Sequence, residues 1–391
     1  MDLKAIGTLF IVSLVMSCAD TGSRPLRIAV KNSLSYDRSN ETVSLKLEAL
    51  GSKMGTGKIE ISEPGSGTVL VTQLVDSDND GTMDEVLFQP KVAANSEAIF
   101  EVTLHEKMNG AETPHVCYSR FVPERTDDYA WENDRVAFRT FGPTAQRMNE
   151  EGVPGGTLSS GIDAWLKLVD YPIIDKWYHK ELQTEGTYHE DNGEGLDNFH
   201  VGVSRGVGGT AKKGDSTYAF SKNFNKWETL YTGPIRTGFV LSYADWKADG
   251  TTIGEVKTIT LDHGSNLSKF EIALKGTDTI SAGLTLHEKR GAIGVDQENG
   301  WVSYWEPHGD SELGTAIIVP DGKMIGHENY DTELTDASNL FAHIEATGGK
   351  IIYYSGFGWK KSGQFADKED WERYVSRFSE LLRHPLEVRV K

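Results

Sequence analysis

Apolar and polar residues alternate with a period of two along most of this chain, the spacing that sends successive side chains to opposite faces of a strand. LRIAVKN, TVSLKLEAL, GTVLVTQLV, EVLFQ and AIFEVTL carry the pattern from Leu26 to Leu104, separated by Gly, Asn and Asp turns. After a polar stretch containing Pro114 and Pro123 it resumes in RVAFRTF, IRTGFVLSY, TIGEVKTITLD, KFEIALK, ISAGLTLHEK, TAIIVP, NLFAHIEA and IIYYSGFGW, with LEVRV as a closing strand. Two segments shift toward helical spacing: Gly161 to Leu168 weakly, and Ala366 to Leu382 clearly, where Trp371, Val375, Phe378 and Leu382 fall three or four apart. Helices are too few for a doubly wound α/β sheet. The expected class is all-β, a large antiparallel β-sandwich preceded by a small β-sandwich domain. The expected division is 26–110 for the small domain, 111–129 for a linker and 130–391 for the large, catalytic sandwich. TLHEK occurs twice, at Thr103 and Thr285, but its flanks do not align and it reads as coincidence.

The amino terminus points to export. Lys4 precedes the apolar run Ala5 to Met16, too short for a secure membrane span and of the length of a signal-peptide core. It ends in Val15-Met16-Ser17-Cys18, which resembles a bacterial lipobox; that resemblance implies a signal peptide over 1–17 and lipidation of Cys18. Residues 18–25 then form a tether, and the lipid anchor would hold the protein at the periplasmic or cell-surface face of the outer membrane. With Cys18 lipidated, Cys117 is the one remaining cysteine, which excludes an intramolecular disulfide.

A formal net charge of −18 repels phosphates at long range, and no Lys/Arg stripe opposes it, so nucleic acid is excluded as a partner. Local arginines in a cleft still suit an anionic sugar, because salt screens distant charges over about 10 Å. The charge picture also singles out VDSDNDGTMDEVLFQ. Asp76, Asp78, Asp80 and Asp84 surround Gly81 in the spacing of a short extracellular calcium loop, while Leu87 stands where an EF-hand requires its glutamate. The alternative is an Asp/Asn turn whose carboxylates cap their own backbone amides.

Three segments concentrate chemistry. Asp175 to Gly209 holds Trp177, Tyr178, His179, Tyr188, His189, His200 and Arg205 among acids and glycines, giving stacking platforms and groups that move protons. Val122 to Pro143 holds Arg125 and Arg139, suited to a sulfate or carboxylate or to a salt-bridged seam; alternation in VAFRTF places Arg139 on the face opposite Val136 and Phe138. Trp301 to Gly314 places Trp301, Ser303 and Trp305 on one strand face, a sugar platform unless another element covers it, followed by Glu306, His308 and Asp310; Trp359 extends the candidate platform. The histidine spacings match no compact zinc signature, but a divalent metal held by His189, His200 and a distant His308 is a further candidate. No Walker motif, dinucleotide fingerprint or G-x-S-x-G elbow occurs.

Taken together, DSDNDGTMDEVLFQ, PERTDDYAWENDRVAFRTFGP and YHEDNGEGLDNFHVGVSRGVGG resemble a family of secreted Bacteroidota lipoproteins associated with polysaccharide utilisation. That resemblance implies a galactose mutarotase-like supersandwich and, from a member acting on ulvan oligosaccharides, a dehydratase. The reaction expected here is removal of water from the non-reducing-end sugar of a sulfated or uronate-containing oligosaccharide. His189 or His200 would be the base, Tyr188 or His179 the acid, and Arg125 or Arg139 the anion holder. A noncatalytic glycan-binding lipoprotein, a mutarotase or epimerase, and a polysaccharide lyase are the competing readings. The sequence leaves the oligomeric state open.

Overall fold

The computed structural model describes residues 26–51, 58–105 and 116–391. The leader, Cys18 and the tether lie outside the described residues. As expected from the alternation, the fold is all-β and antiparallel. Among the described residues no helix is long and apolar enough to cross a membrane.

The small domain stacks a five-stranded sheet on a three-stranded one. The first sheet runs Glu387–Val390, Leu26–Asn32, Ser96–His105, Lys58–Ser62, Val69–Leu70, and the second Val43–Lys46, Glu85–Phe88, Thr72–Val75. Ile28, Val30, Ile61, Val86, Phe88 and Phe100 interdigitate between them. Glu387–Val390, expected in the large sandwich, instead pairs with Leu26–Asn32, Val390 opposite Ile28. Its alternating Val388 and Val390 add to the small core rather than the large one.

The large sandwich places a nine-stranded sheet against two five-stranded sheets. One five-stranded sheet contains Tyr118–Val122, Asp128–Glu132, Ala137–Thr140, Asp163–Lys167 and Gly195–Leu196. The other contains Tyr218–Ala219, Val207–Lys213, Thr279–Thr285, Asn339–Glu345 and Met324–Tyr330. A parallel bridge between Ile162 and Gly206 joins the two. Gly206 is required there: its φ is 59°, and a Cβ would lie 1.9 Å from the Ile162 carbonyl oxygen.

Among the described residues there are three α-helices, α1 (Pro143–Glu150), α2 (Ile174–Gln183) and α3 (Lys368–Arg383), of which α2 and α3 pack on the sheets through Trp177 and Tyr178 and through Trp371 and Val375. The last fulfils the spacing of Trp371 and Val375, with Asp367 capping its start through a 2.9 Å bond from the Asp370 amide. Gly161 to Leu168 is not helical. It contributes the strand Asp163–Lys167, buried on both faces, so the alternation that identifies a strand is absent from it. α2 arises where a loop was expected, with Ile174, Trp177 and Tyr178 one turn apart on its buried side.

The acidic turn is built largely from its own carboxylates. Asp76 Oδ2 accepts from the Gly81 amide at 2.7 Å, Asp80 Oδ1 from the Thr82 amide at 2.7 Å, and Asp84 Oδ2 from the Ser77 amide at 2.7 Å. Asp76, Asp78 and Asp84 offer oxygens within 4.8 Å of one another, whereas Asp80 stands outside that group.

Ending the chain after Pro385 removes the half-buried Leu386, Val388 and Val390 and bares one edge of Leu26–Asn32. At about 1 kcal/mol for each half-buried aliphatic side chain, a loss of about 3 kcal/mol is expected, read as a lower midpoint in urea denaturation.

Candidate active site

The sheet containing Ala137–Thr140 is buried on both faces, and its outer face is charged. Alternation sends Tyr129, Trp131, Phe138, Ala164 and Leu166 into the main core. It sends Asp128, Glu132, Arg139, Asp163 and Lys167 to the other side, beneath α2. Register then pairs the charges, since Arg139 stands directly opposite Asp163. Glu132 takes a 2.8 Å bond from Lys167 and accepts the Ile173 and Ile174 amides at 2.9 Å, which anchors the start of α2.

Arg139 is the hub of this layer and is 6% exposed. Its Nη2 reaches Asp163 Oδ2 at 2.5 Å and Asp197 Oδ2 at 2.9 Å. Its Nη1 donates to the Tyr188 hydroxyl at 3.0 Å and lies 3.8 Å from Asp128 Oδ2, which also accepts from the Tyr178 hydroxyl at 3.1 Å. The guanidinium stacks near the rings of Phe141, Trp165 and Tyr188. Burial works against its charge, but Asp197, Asp163 and Asp128 outweigh burial and hold it well above its ordinary value.

Three carboxylates around Arg139 are more negative charge than it neutralises. Burial raises Asp128 from 3.8 to about 6, against the pull of Arg139 and Arg125. Burial and the neighbouring Asp197 carry Asp163 well above the carboxylate range, and burial also raises Asp197. Asp128 Oδ1 and Asp163 Oδ1 are buried without a hydrogen-bond partner among the described residues. The cluster therefore retains a proton at mildly acidic pH.

Above this layer lies an open groove of about 490 Å³, lined by Arg125, Arg139, Asp163, His189, Asp197, Asn198 and His200 among others. Arg125 is held at its rim by a strained turn: Thr126 and Asp127 have φ of 51° and 66°, and Arg125 Nη1 donates to Thr126 Oγ1 at 3.1 Å. His189 Nδ1 lies 2.6 Å from the Asp197 carbonyl oxygen. A carbonyl only accepts, so Nδ1 carries the proton and a neutral ring keeps its lone pair on Nε2. His200 Nε2 pairs with Asp336 Oδ2 at 2.9 Å. Gly202 permits that approach, with φ of 50° and no Cβ to strike Asp336.

Behind the same loop sits a second polar cluster. His287 Nδ1 lies 2.5 Å from Glu306 Oε1, and His287 Nε2 lies 3.0 Å from the His200 carbonyl oxygen. His308 Nε2 meets Asn198 Oδ1 at 3.1 Å, and burial followed by the charge of His287 lowers its pKa to about 4.

Residues 30–388 match a family model described as a domain of unknown function, DUF4861. The chain belongs to that family. An uncharacterized protein of Formosa agariphila is 51% identical over 384 residues, covering 97% of each chain. Among solved structures, an alpha-mannosidase and a glycosyl hydrolase family 38 protein, both from Enterococcus faecalis, overlay at 10% identity and a TM-score of 0.48. The overlays take in 94% of this chain and 46% and 47% of the two solved chains, so this chain spans under half the length of either.

In this DUF4861 protein the groove brings together four residues singled out from sequence: Arg125, Arg139, His189 and His200. Others lie elsewhere. His179 occupies the exposed side of α2, and Trp177 and Tyr178 are buried beneath that helix, so neither ring offers a sugar platform. Tyr188 is buried, its hydroxyl accepting from Arg139 beneath the groove, and burial keeps it from a ligand. Arg205 is buried too, donating to Ser160 Oγ and the Val203 carbonyl and packed on the Phe220 ring. Trp301 and Trp305 do share a face, but α3 covers them through Trp371 and Val375, and Trp359 is in the main core. The expected metal set of His189, His200 and His308 does not converge: among the described residues His308 instead groups with His287 and Glu306, behind the loop that carries His200. Sequence reasoning missed Asp163, which sits in the segment misread as helix, and His287, which sits in the second TLHEK.

The buried proton has a measurable sign. Asp128 holds a proton in the folded state between pH 3.8 and about 6, where the unfolded chain has already lost it. Its contribution to stability is therefore present below that window and is lost as pH rises through it. Asp128→Asn abolishes this contribution. The stability of the wild type minus that of the variant should fall by on the order of 3 kcal/mol between pH 4 and pH 7, measured by urea denaturation at each pH.

Proposed function

We propose that this protein is a carbon–oxygen lyase that removes water from the non-reducing-end sugar of an anionic oligosaccharide. The observation that carries the reading is His189, held through Nδ1 with its Nε2 lone pair available, in a groove that also holds two arginines. Arg125 binds the sugar carboxylate or a sulfate, while Arg139 is neutralised by the carboxylates around it and serves to hold Asp197 in place. His189 Nε2 takes the ring proton next to the carboxylate, the electron pair forms the ring double bond, and the carbon–hydroxyl bond breaks. His200, oriented by Asp336, gives the departing hydroxyl its proton, so that water leaves. It takes the acid role assigned from sequence to Tyr188 or His179, because Tyr188 is buried on Arg139 and His179 faces away. An arginine beside the developing charge contributes on the order of 3 kcal/mol to the barrier.

A noncatalytic binding protein built on stacked tryptophans is less well supported, since Trp177, Trp301, Trp305 and Trp359 are all buried. Lipidation at Cys18 and placement on the periplasmic or cell-surface face of the outer membrane belong to the same proposal.

The test is incubation with saturated uronate- or sulfate-bearing oligosaccharides, following product mass and unsaturated-sugar absorbance. The expected product is lighter by one water and undiminished in chain length. Shorter chains would identify a polysaccharide lyase, and an unchanged mass with altered stereochemistry a mutarotase or epimerase. Because the His189 ring is half exposed, His189→Ala should lower kcat by about 10²- to 10⁴-fold while leaving the melting temperature in place.

A further inference from the structure

We propose that His287, Glu306 and His308 bind a divalent transition-metal ion of the zinc class, tied into the loop that forms one wall of the groove. The inference does not depend on which reaction the groove carries out.

Strand alternation and strand ends create the site. Trp301–His308 sends Trp301, Ser303 and Trp305 toward α3 and sends Val302, Tyr304, Glu306 and His308 the other way, so the carboxylate and one imidazole share a face. His287 arrives from the opposing layer, two residues beyond the end of Thr279–Thr285. Each of the three offers a ligand atom, and those atoms lie within 4.8 Å of one another. Bonds of about 2.1 Å to a common ion need only a small further closure.

Two independent features point to a cation. Glu306 is 2% exposed, and its Oε2 is buried without a hydrogen-bond partner among the described residues. A buried carboxylate oxygen in that state is costly, and an ion supplies the missing partner. Each imidazole is also tied to an oxygen on one loop, His287 Nε2 to the His200 carbonyl and His308 Nε2 to Asn198 Oδ1. An outer hydrogen bond of this kind fixes the tautomer and turns the remaining ring nitrogen into the ligand, the usual arrangement for metal-binding histidine. For His287 that nitrogen is Nδ1, already beside Glu306. On binding, the proton shared by His287 and Glu306 leaves to solvent and both groups bond to the ion.

Two imidazoles and one carboxylate suit zinc or a neighbouring first-row ion and leave a coordination position for water. The hard-oxygen set of Asp76, Asp78 and Asp84 is chemically different, so zinc and calcium uptake can be separated.

The experiment uses the full chain without a polyhistidine tag, equilibrated with zinc in excess calcium and then freed of loose metal. Elemental analysis should find one zinc per chain, with a higher melting temperature than the chelated protein. Cobalt in its place should give visible absorption bands of a low-coordinate site. Glu306→Gln preserves shape and should lose the zinc, as should His287→Ala and His308→Ala. Asn198→Ala, which removes only an outer hydrogen bond, should weaken binding by about 10- to 100-fold. Absence of zinc from the wild type overturns the proposal, as does wild-type stoichiometry in Glu306→Gln. If His308→Ala fails to fold, the Glu306→Gln result decides.

Discussion

One guanidinium surrounded by carboxylates organises this half of the molecule. Arg139 lies in a sheet covered on both sides, where water does not screen its charge, so its neighbours must neutralise it. The register that sets Asp163 opposite it, the loop that delivers Asp197, and the Tyr188 hydroxyl all converge on its nitrogens. Removing it would leave three buried carboxylates facing one another, so its place is fixed by the cost of its absence as much as by the bonds it makes. The same arrangement aims His189, because the residue whose side chain binds Arg139 is the residue whose carbonyl holds Nδ1.

Much of the strand content was legible because a half-buried antiparallel sheet writes its burial directly into alternation. The exceptions share a cause. Asp163–Lys167 is buried on both faces, and Asp163 was lost with the strand that carries it. The tryptophans show the complementary limit. Alternation identified a common face for Trp301 and Trp305, and the spacing of Trp371 and Val375 identified a helix, but nothing local says that the helix lies on that face. Arg139 was recognised as opposite the core without any sign that Tyr188 and Asp197 would close around it at the base of a groove. His287 gave still less signal, since its partners Glu306 and His200 come from two other segments. Side-chain type was visible from the chain; convergence belongs to the layers.

The stretch from Asp197 to Gly202 links the two polar clusters. Its first residue binds Arg139, its second and fourth bind His308 and His287, and His200 reaches Asp336. Six residues thus report to both layers of the sandwich, and the left-handed Gly202 lets the loop lie close to Asp336. The backbone carbonyls of Asp197 and His200 hold His189 and His287, and the side chains of Asp197 and Asn198 hold Arg139 and His308, so one short loop ties both clusters to the groove.

The pairing of Glu387–Val390 with Leu26–Asn32 also bears on how the chain acquires its shape. Leu26–Asn32 must wait for Glu387–Val390, with the whole large sandwich between them. Closing so long a loop is entropically unfavourable until the intervening sandwich has folded and brought its ends together. The small domain is thereby begun before the large sandwich and completed after it. During that interval one edge of Leu26–Asn32 is open to any extended segment, and the four residues Glu387 to Val390 that finally occupy it act as its latch.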